Sequence, residues 1–289
     1  MWFYNKKIAP IVVLVAAVAT YSDWEALNGQ FLLDDKGTVT DNPTVRPEAP
    51  WWLLWQRDYW GKDDIGSRQS HKSYRPITNL TFRWNYLYNE LDTFGYHVVN
   101  VAIHVFASIL CYYVVDASIL QNDPEYSFFA AFLFAVHPIH AEAVANITGR
   151  AEVLCALFYF LGFLCYSSSF SRSSINGVKV WRARSVWMQS MAITCTLLLA
   201  VLSMLSKEQG ITLPVLCAVW DFVMASRLVP SDLVTAWQCA HLDRRRRLRG
   251  WLVRTAVMGV LTVAIALARL SLNGGHSLPS PSSRALLFE

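Results

Sequence analysis

The feature that most limits how this chain can fold is its series of long apolar runs, set apart by short stretches rich in arginine and lysine. An α-helix needs about 20 predominantly apolar residues to cross a hydrocarbon core about 30 Å thick. On that criterion spans are expected at about 8–27, 96–120, 126–139, 153–170, 186–205, 211–225 and 251–270. Seven crossings make the expected fold an all-α membrane bundle. The run at 126–139 is short, and a tilt or an earlier start would accommodate it. Composition agrees, since 54% of the 289 residues are hydrophobic and only 16% are charged. The 12 Trp and 12 Tyr suit a chain with many headgroup-level positions.

Sidedness follows from the positive charge. With Lys6 and Lys7 in the cytosol, the segments 121–125, 171–185 and 226–250 are cytosolic as well. The last two carry Arg172, Lys179, Arg182, Arg184 and the arginine quartet at 244–247, as the positive-inside rule requires. A cleaved signal peptide with small residues near Ala19 is the other reading of 8–20, and it sends the next segment across the membrane equally. The net charge of +4 is thereby a topology signal, and no nucleic-acid partner is expected. Cys111, Cys155, Cys165, Cys195 and Cys217 fall in expected spans and Cys239 in a basic loop, so no disulfide framework is implied.

Every polar motif then comes out on the non-cytosolic face. These are FLLDD (31–35), SHKSYRP (70–76), HPIHAEAVANITGRAE (137–152) and SKEQG (206–210). A long first loop at about 28–95 carries two of them, together with WWLLWQRDYW at 51–60, which reads either as a helix in the interface plane or as a packed loop. The chain ends in a Ser/Pro-rich tail, 273–289, with no sign of a folded domain.

These residue types fit transfer of a sugar from a lipid phosphate. Such chemistry needs a base for the acceptor hydroxyl, cations for the departing phosphate and a groove for the lipid. Asp34 and Asp35 are the candidate bases, two neighbouring carboxylates able to divide the roles of abstracting a proton and positioning the acceptor. The plainer reading of such a pair is solvated loop. Arg150, Lys207, Lys72 and Arg75 are the candidate phosphate cations, with snorkelling interface residues as the alternative. Arg150 and Lys207 lead because unpaired charge at the edge of an apolar helix is costly, although Glu152 and Glu208 stand close enough in sequence for structural pairs. His137, His140 and Glu142 have a metal-like spacing, but Pro138 interrupts the helix it would need, so they are read as hydrogen-bonding to sugar or phosphate, or as helix-start structure, with metal ligation the weaker alternative. His104 is expected to make a buried hydrogen bond. The sequons at Asn79 and Asn146 lie so close to apolar helices that glycosylation is not expected.

FLLDD with a downstream DNP, DYWG, SHKSYRPITNLTFRWNY, YHVVNVAIH, LFAVHPIHAEAVANITGRAEVL and SKEQGIT followed by Trp220-Asp221 together resemble the transmembrane and tetratricopeptide-repeat family of protein O-mannosyltransferases that target cadherins. The likeness runs in order from about Tyr21 to Asp221. The resemblance implies a GT-C-type fold, partial here over about 1–272, in the endoplasmic reticulum membrane with a cytosolic amino terminus. It also implies dolichyl phosphate mannose as lumenal donor, Ser/Thr of cadherin-like ectodomains as acceptor, and an acidic catalytic residue in the first lumenal loop, which falls here on Asp34 or Asp35. Family members continue into tetratricopeptide repeats, and no 34-residue helical repeat is present in this sequence. It therefore reads as the amino-terminal part of such a protein or as a truncated gene model.

The expected activity is inverting mannosyl transfer, with Asp35, or Asp34 in its place, as base, Arg150 and Lys207 on the leaving phosphate, and no cofactor or predicted metal. The alternative is a non-catalytic membrane scaffold whose acidic and basic residues form structural pairs. A transporter is disfavoured, because most ionisable residues lie at span ends.

Overall fold

A computed structural model describes residues 8–21, 24–120, 123–175, 178–235 and 242–273. Lys6, Lys7, Cys239 and the tail beyond residue 273 lie outside the described residues. The chain is mostly helical. The principal helices are α1 (Ala9–Tyr21), α2 (Trp24–Leu27), α3 (Pro76–Asn89), α4 (Thr93–Val114), α5 (Pro124–Val136), α6 (His140–Ala145), α7 (Arg150–Ser167), α8 (Val186–Ser206), α9 (Leu213–Trp220), α10 (Asp232–Thr235) and α11 (Leu242–Leu272).

Among the described residues, four helical segments are long and apolar enough to cross a membrane: α4 with its continuation to Ile119, α7, α8 and α11. The other three expected crossings are shorter. Helices α1 and α5 have 13 residues each, about 20 Å of rise, and α9 has 8, continued by a wide helical turn to Ala225. Proline marks where α5 and α9 begin. Pro124 and Pro214 occupy first-turn positions of α5 and α9, where a missing N–H costs nothing, and Pro138 follows α5 closely.

The fold also departs from an all-α reading in one place. Phe170–Ile175 (β1) pairs antiparallel with Val178–Ala183 (β2), in register from Phe170 opposite Ala183 to Ile175 opposite Val178. The hairpin forms the connection between α7 and α8, which was expected to be plain loop. Helix α3 is a second addition, lying inside the long polar segment. It was hidden because it is amphipathic and short of span length.

Helices α7 and α8 pack closely because small and hydroxyl-bearing residues face each other. The Thr196 hydroxyl donates to the Gly162 carbonyl at 3.1 Å and the Ser203 hydroxyl to the Cys155 carbonyl at 2.9 Å. A second apolar cluster joins α1, α4 and α5 around Val13, Tyr112 and Ala131. A third lies outside the helical bundle, where Val39, Val45 and Tyr59 of the first loop pack on Phe82, Tyr96 and Ile147. The first loop is thus a packed structure with its own core. Within it, 51–55 forms a tight helical turn that buries Leu54 and leaves Trp51 and Trp52 exposed.

Candidate functional site

The four polar motifs converge at one end of the bundle. A cavity of about 570 Å³ opens there among the loop before α3, the middle of α4, the end of α5, α6 and the start of α7, and the ends of α8 and α11 join it through contacts of Glu208 and Arg269. Asp34, Arg75, His104, His140, Glu142, Asn146, Thr148 and Glu152 supply its polar lining, with Phe134 and Ile139 on the apolar side.

The two aspartates are not equivalent. Asp35 is buried, and its Oδ1 accepts from the Thr148 backbone N–H at 2.8 Å and the Thr148 hydroxyl at 2.7 Å. Its Oδ2 accepts from the Leu32 N–H at 3.2 Å, closing a turn whose return bond runs from the Asp35 N–H to the Leu32 carbonyl. Thr38 completes the group, with its hydroxyl 2.9 Å from that of Thr148. A carboxylate holding several charge-assisted bonds is a brace. Asp34 is exposed and lines the cavity. Immediately before them stands Leu33, 90% exposed and at φ 41°, a left-handed conformation that a leucine adopts only under constraint. The turn that seats Asp35 is therefore strained.

Arg150 lies beneath this loop and not on the cavity wall. It is fully buried, and its guanidinium donates to Asn100 Oδ1 at 2.7 Å, Asn85 Oδ1 at 2.6 Å, the Tyr96 carbonyl at 2.9 Å and the Thr81 carbonyl at 3.3 Å. Its carbon Cζ sits 4.7 Å from the Phe82 ring centre. Neutral acceptors from α3 and α4 thereby hold a cation at the head of α7, the arrangement expected of a keystone.

Lys72, at φ 63°, gives its ammonium to the carbonyls of Ile65 and Ser67 at 3.0 and 2.6 Å. Lys207 forms a close pair with Glu152. His137 is exposed and outside the cavity lining; its Nδ1 accepts from the Ile139 N–H at 3.1 Å, and its carbonyl accepts from the Tyr21 hydroxyl at 2.8 Å. His140 lies on the wall, with Nδ1 2.8 Å from the Phe134 carbonyl and its ring 4.4 Å from the Phe134 ring. Burial holds its pKa below the ordinary value of 6.5, with a smaller push from His137. Glu142 is exposed on the same wall. His104 is buried with Nε2 3.0 Å from the Ala135 carbonyl, the buried hydrogen bond expected of it. Among the described residues no group of three or more His, Cys, Asp or Glu side chains gathers as a metal-binding set.

The remaining cation of the cavity is Arg75. It makes two contacts to Glu208 Oε2, at 3.2 Å from Nε and 3.0 Å from NH2. Arg269, near the end of α11, donates to Glu208 Oε1 at 2.8 Å and to the Met204 carbonyl at 3.1 Å. One carboxylate between two guanidiniums leaves the cluster a net positive charge. Burial alone would raise the Glu208 carboxyl, but Arg75 and Arg269 hold it below the usual carboxylate range. Sequence reasoning missed Arg269, as it missed Thr148, Asn85 and Asn100. A lone arginine closing an apolar run is the only signal Arg269 offers.

Comparison with known proteins now decides the family. The chain is 36% identical to protein O-mannosyl-transferase TMTC4 of Homo sapiens over 84% of its own length and 32% of the relative's. It is 37% identical to protein O-mannosyl-transferase TMTC3 of Homo sapiens, covering 78% of itself and 23% of that protein. With protein O-mannosyl-transferase F38B6.6 of Caenorhabditis elegans it shares 38% identity over 72% of itself and 27% of the relative. The chain belongs to the TMTC family. It spans about a third or less of the length of these TMTC relatives. No family model matches, and no solved structure matches.

Proposed function

We propose that this chain is the membrane-embedded, reaction-bearing part of a GT-C-type protein O-mannosyltransferase. On this reading residues 1–272 form the transmembrane unit with seven crossings, the shorter α1, α5 and α9 included, and 28–95 is its first lumenal loop. The cavity end faces the lumen of the endoplasmic reticulum and the amino terminus lies in the cytosol. The donor is dolichyl phosphate mannose and the acceptor is a Ser or Thr hydroxyl of a lumenal or secreted protein, cadherin-like ectodomains among them. The observation that carries the reading is an exposed carboxylate and an arginine on one cavity, Asp34 and Arg75, with a buried carboxylate, Asp35, bracing the loop that presents the first.

Asp34 accepts the proton of the Ser/Thr hydroxyl as its oxygen attacks the anomeric carbon of mannose. The bond from that carbon to the phosphate oxygen breaks, configuration inverts, and the transition state is oxocarbenium-like. Dolichyl phosphate leaves as an anion, so the step needs positive charge and no general acid. Arg75 supplies that charge, held in place by Glu208 and seconded by Arg269. His140 and Glu142 stand where they would hydrogen-bond sugar or phosphate. Asp35, Arg150, Lys72, Lys207 and His137 act as structure, holding the loops and helix heads around the site. No metal or other cofactor is invoked.

The second reading, a non-catalytic scaffold, draws on the same fact that Arg150, Lys72 and Lys207 are engaged in structural contacts. Donor dependence separates the two. Microsomes containing the chain are given labelled dolichyl phosphate mannose or labelled GDP-mannose with lipid-donor synthesis blocked. Transfer from the lipid-linked donor only is expected, and transfer from neither donor by a correctly inserted chain would favour the scaffold.

A further inference from the structure

A second cavity, of about 520 Å³, lies at the other end of the bundle. The first opens around Gly149, Glu152 and Val153 at the head of α7, whereas this one is bounded by Phe170, just past its last residue. The 18 residues of α7 separate the two by about 27 Å. They are distinct sites.

We propose that this second cavity binds the headgroup of a phosphomonoester lipid in the leaflet at that end of the bundle. Arg246, Arg247 and Arg249 line it, on the second turn of α11. The positive-inside rule accounts for arginines in this loop but not for their gathering on one concave wall. Neighbouring basic residues are matched: Arg244 pairs with Asp232 at 2.9 Å, and Arg254 pairs with the buried Asp221 at 2.8 Å. Among the described residues no carboxylate pairs with Arg246, Arg247 or Arg249, and none lines the cavity.

Their placement is also unfavourable without an anion. Arg246 and Arg249 stand one turn apart, and like charges at that spacing repel. An anion in the cavity relieves that repulsion. Guanidinium forks match phosphate oxygens. The shared chemistry is a phosphate monoester. The source is a lipid because Val186, the first residue of α8, and Val253, where the apolar part of α11 begins, complete the wall at the level where acyl chains begin.

The test uses the whole chain in phosphatidylcholine nanodiscs, with fluorescent phosphatidic acid as probe and phosphatidylserine at matched charge as comparison. The wild type is expected to bind phosphatidic acid at least about tenfold more tightly than phosphatidylserine. The triple variant R246Q/R247Q/R249Q should lose at least about tenfold of that affinity. The control R172Q/R182Q/R184Q removes as many charges from the hairpin at the same end and should lose less than about threefold. Equal losses in the two triple variants, or equal wild-type binding of the two lipids, would reduce the site to general surface charge and overturn the proposal. Displacement of the probe by millimolar inorganic phosphate would make the occupant a free phosphate and overturn the lipid assignment.

Discussion

At the scale of single residues, the site is decided by which atoms are already engaged. Arg150 attracts attention in the sequence as a cation at the edge of an apolar helix. Its acceptors, however, lie on α3 and α4 and are separated from it by 50 or more residues, so its structural part was not legible. Truncating it leaves the Asn85 and Asn100 oxygens buried and unpaired. Arg150→Met is expected to cost at least about 3 kcal/mol, read as a large drop in thermal midpoint in detergent micelles. The DD pair was legible, but not the division of labour within it, because the donors to Asp35 come from Thr148, 113 positions away. Thr148→Val should destabilise the loop by about 1–3 kcal/mol, whereas Thr148→Ser, which keeps the hydroxyl, should cost much less.

Acid sensitivity belongs to this scale as well. Burial lowers the folded-state pKa of His140 below 6.5, so the neutral ring is favoured in the folded protein. Its contribution is complete above pH 6.5 and is lost as pH falls below that value. Glu208 is also depressed, below 4.5, and its contribution survives to lower pH. Thermal stability measured between about pH 7 and 5 should therefore fall on acidification, and His140→Gln should flatten that slope. An unchanged slope in the variant would assign the acid sensitivity elsewhere.

At the scale of elements, apolar runs were read well, the shorter α1, α5 and α9 included, whereas the hairpin and the amphipathic α3 were missed. Helices α4, α7, α8 and α11 stood out because a span-length apolar run has few other uses. The hairpin at 170–183 was missed although Asn176-Gly177, the connecting dipeptide, is a strong turn signal; basic residues on both sides made a cytosolic loop the simpler reading. The α7–α8 contact depends on Gly162, where an added Cβ would meet Leu213 Cδ2 at 2.5 Å and Leu199 Cβ at 3.2 Å. Gly162→Ala should cost about 1–3 kcal/mol through overpacking, checked by denaturation in micelles. The sequon at Asn79 is closed by its element, since that side chain is 1% exposed within α3 and donates to the Tyr59 carbonyl at 3.1 Å. Glycosidase treatment should cause no mobility shift attributable to Asn79.

At the scale of the whole molecule, the sequence-level expectation that the polar motifs share one face corresponds to a physical convergence. Segments from 34 to 156 line one cavity, and Glu208 and Arg269 join its Arg75. Counting apolar runs and alternating their direction was enough to anticipate that, because antiparallel helices return every second connection to the same end. It was not enough to anticipate which cation reaches the cavity, since Arg75 enters on a loop and Arg269 approaches its partner Glu208 from the last helix. The family relationship rests on those motifs and on identities of 36–38% to much longer proteins.

The central claim is that Asp34 reacts while Asp35 holds the loop. The most direct measurement compares Asp34→Asn and Asp35→Asn, each for mannose transfer in microsomes and for thermal stability after purification. The account predicts that Asp34→Asn lowers transfer at least about a hundredfold with an unchanged midpoint. It predicts that Asp35→Asn lowers the midpoint by the equivalent of about 1–3 kcal/mol and lowers transfer along with it. Full transfer by Asp34→Asn, or loss of transfer by Asp35→Asn at undiminished stability, would contradict the assignment.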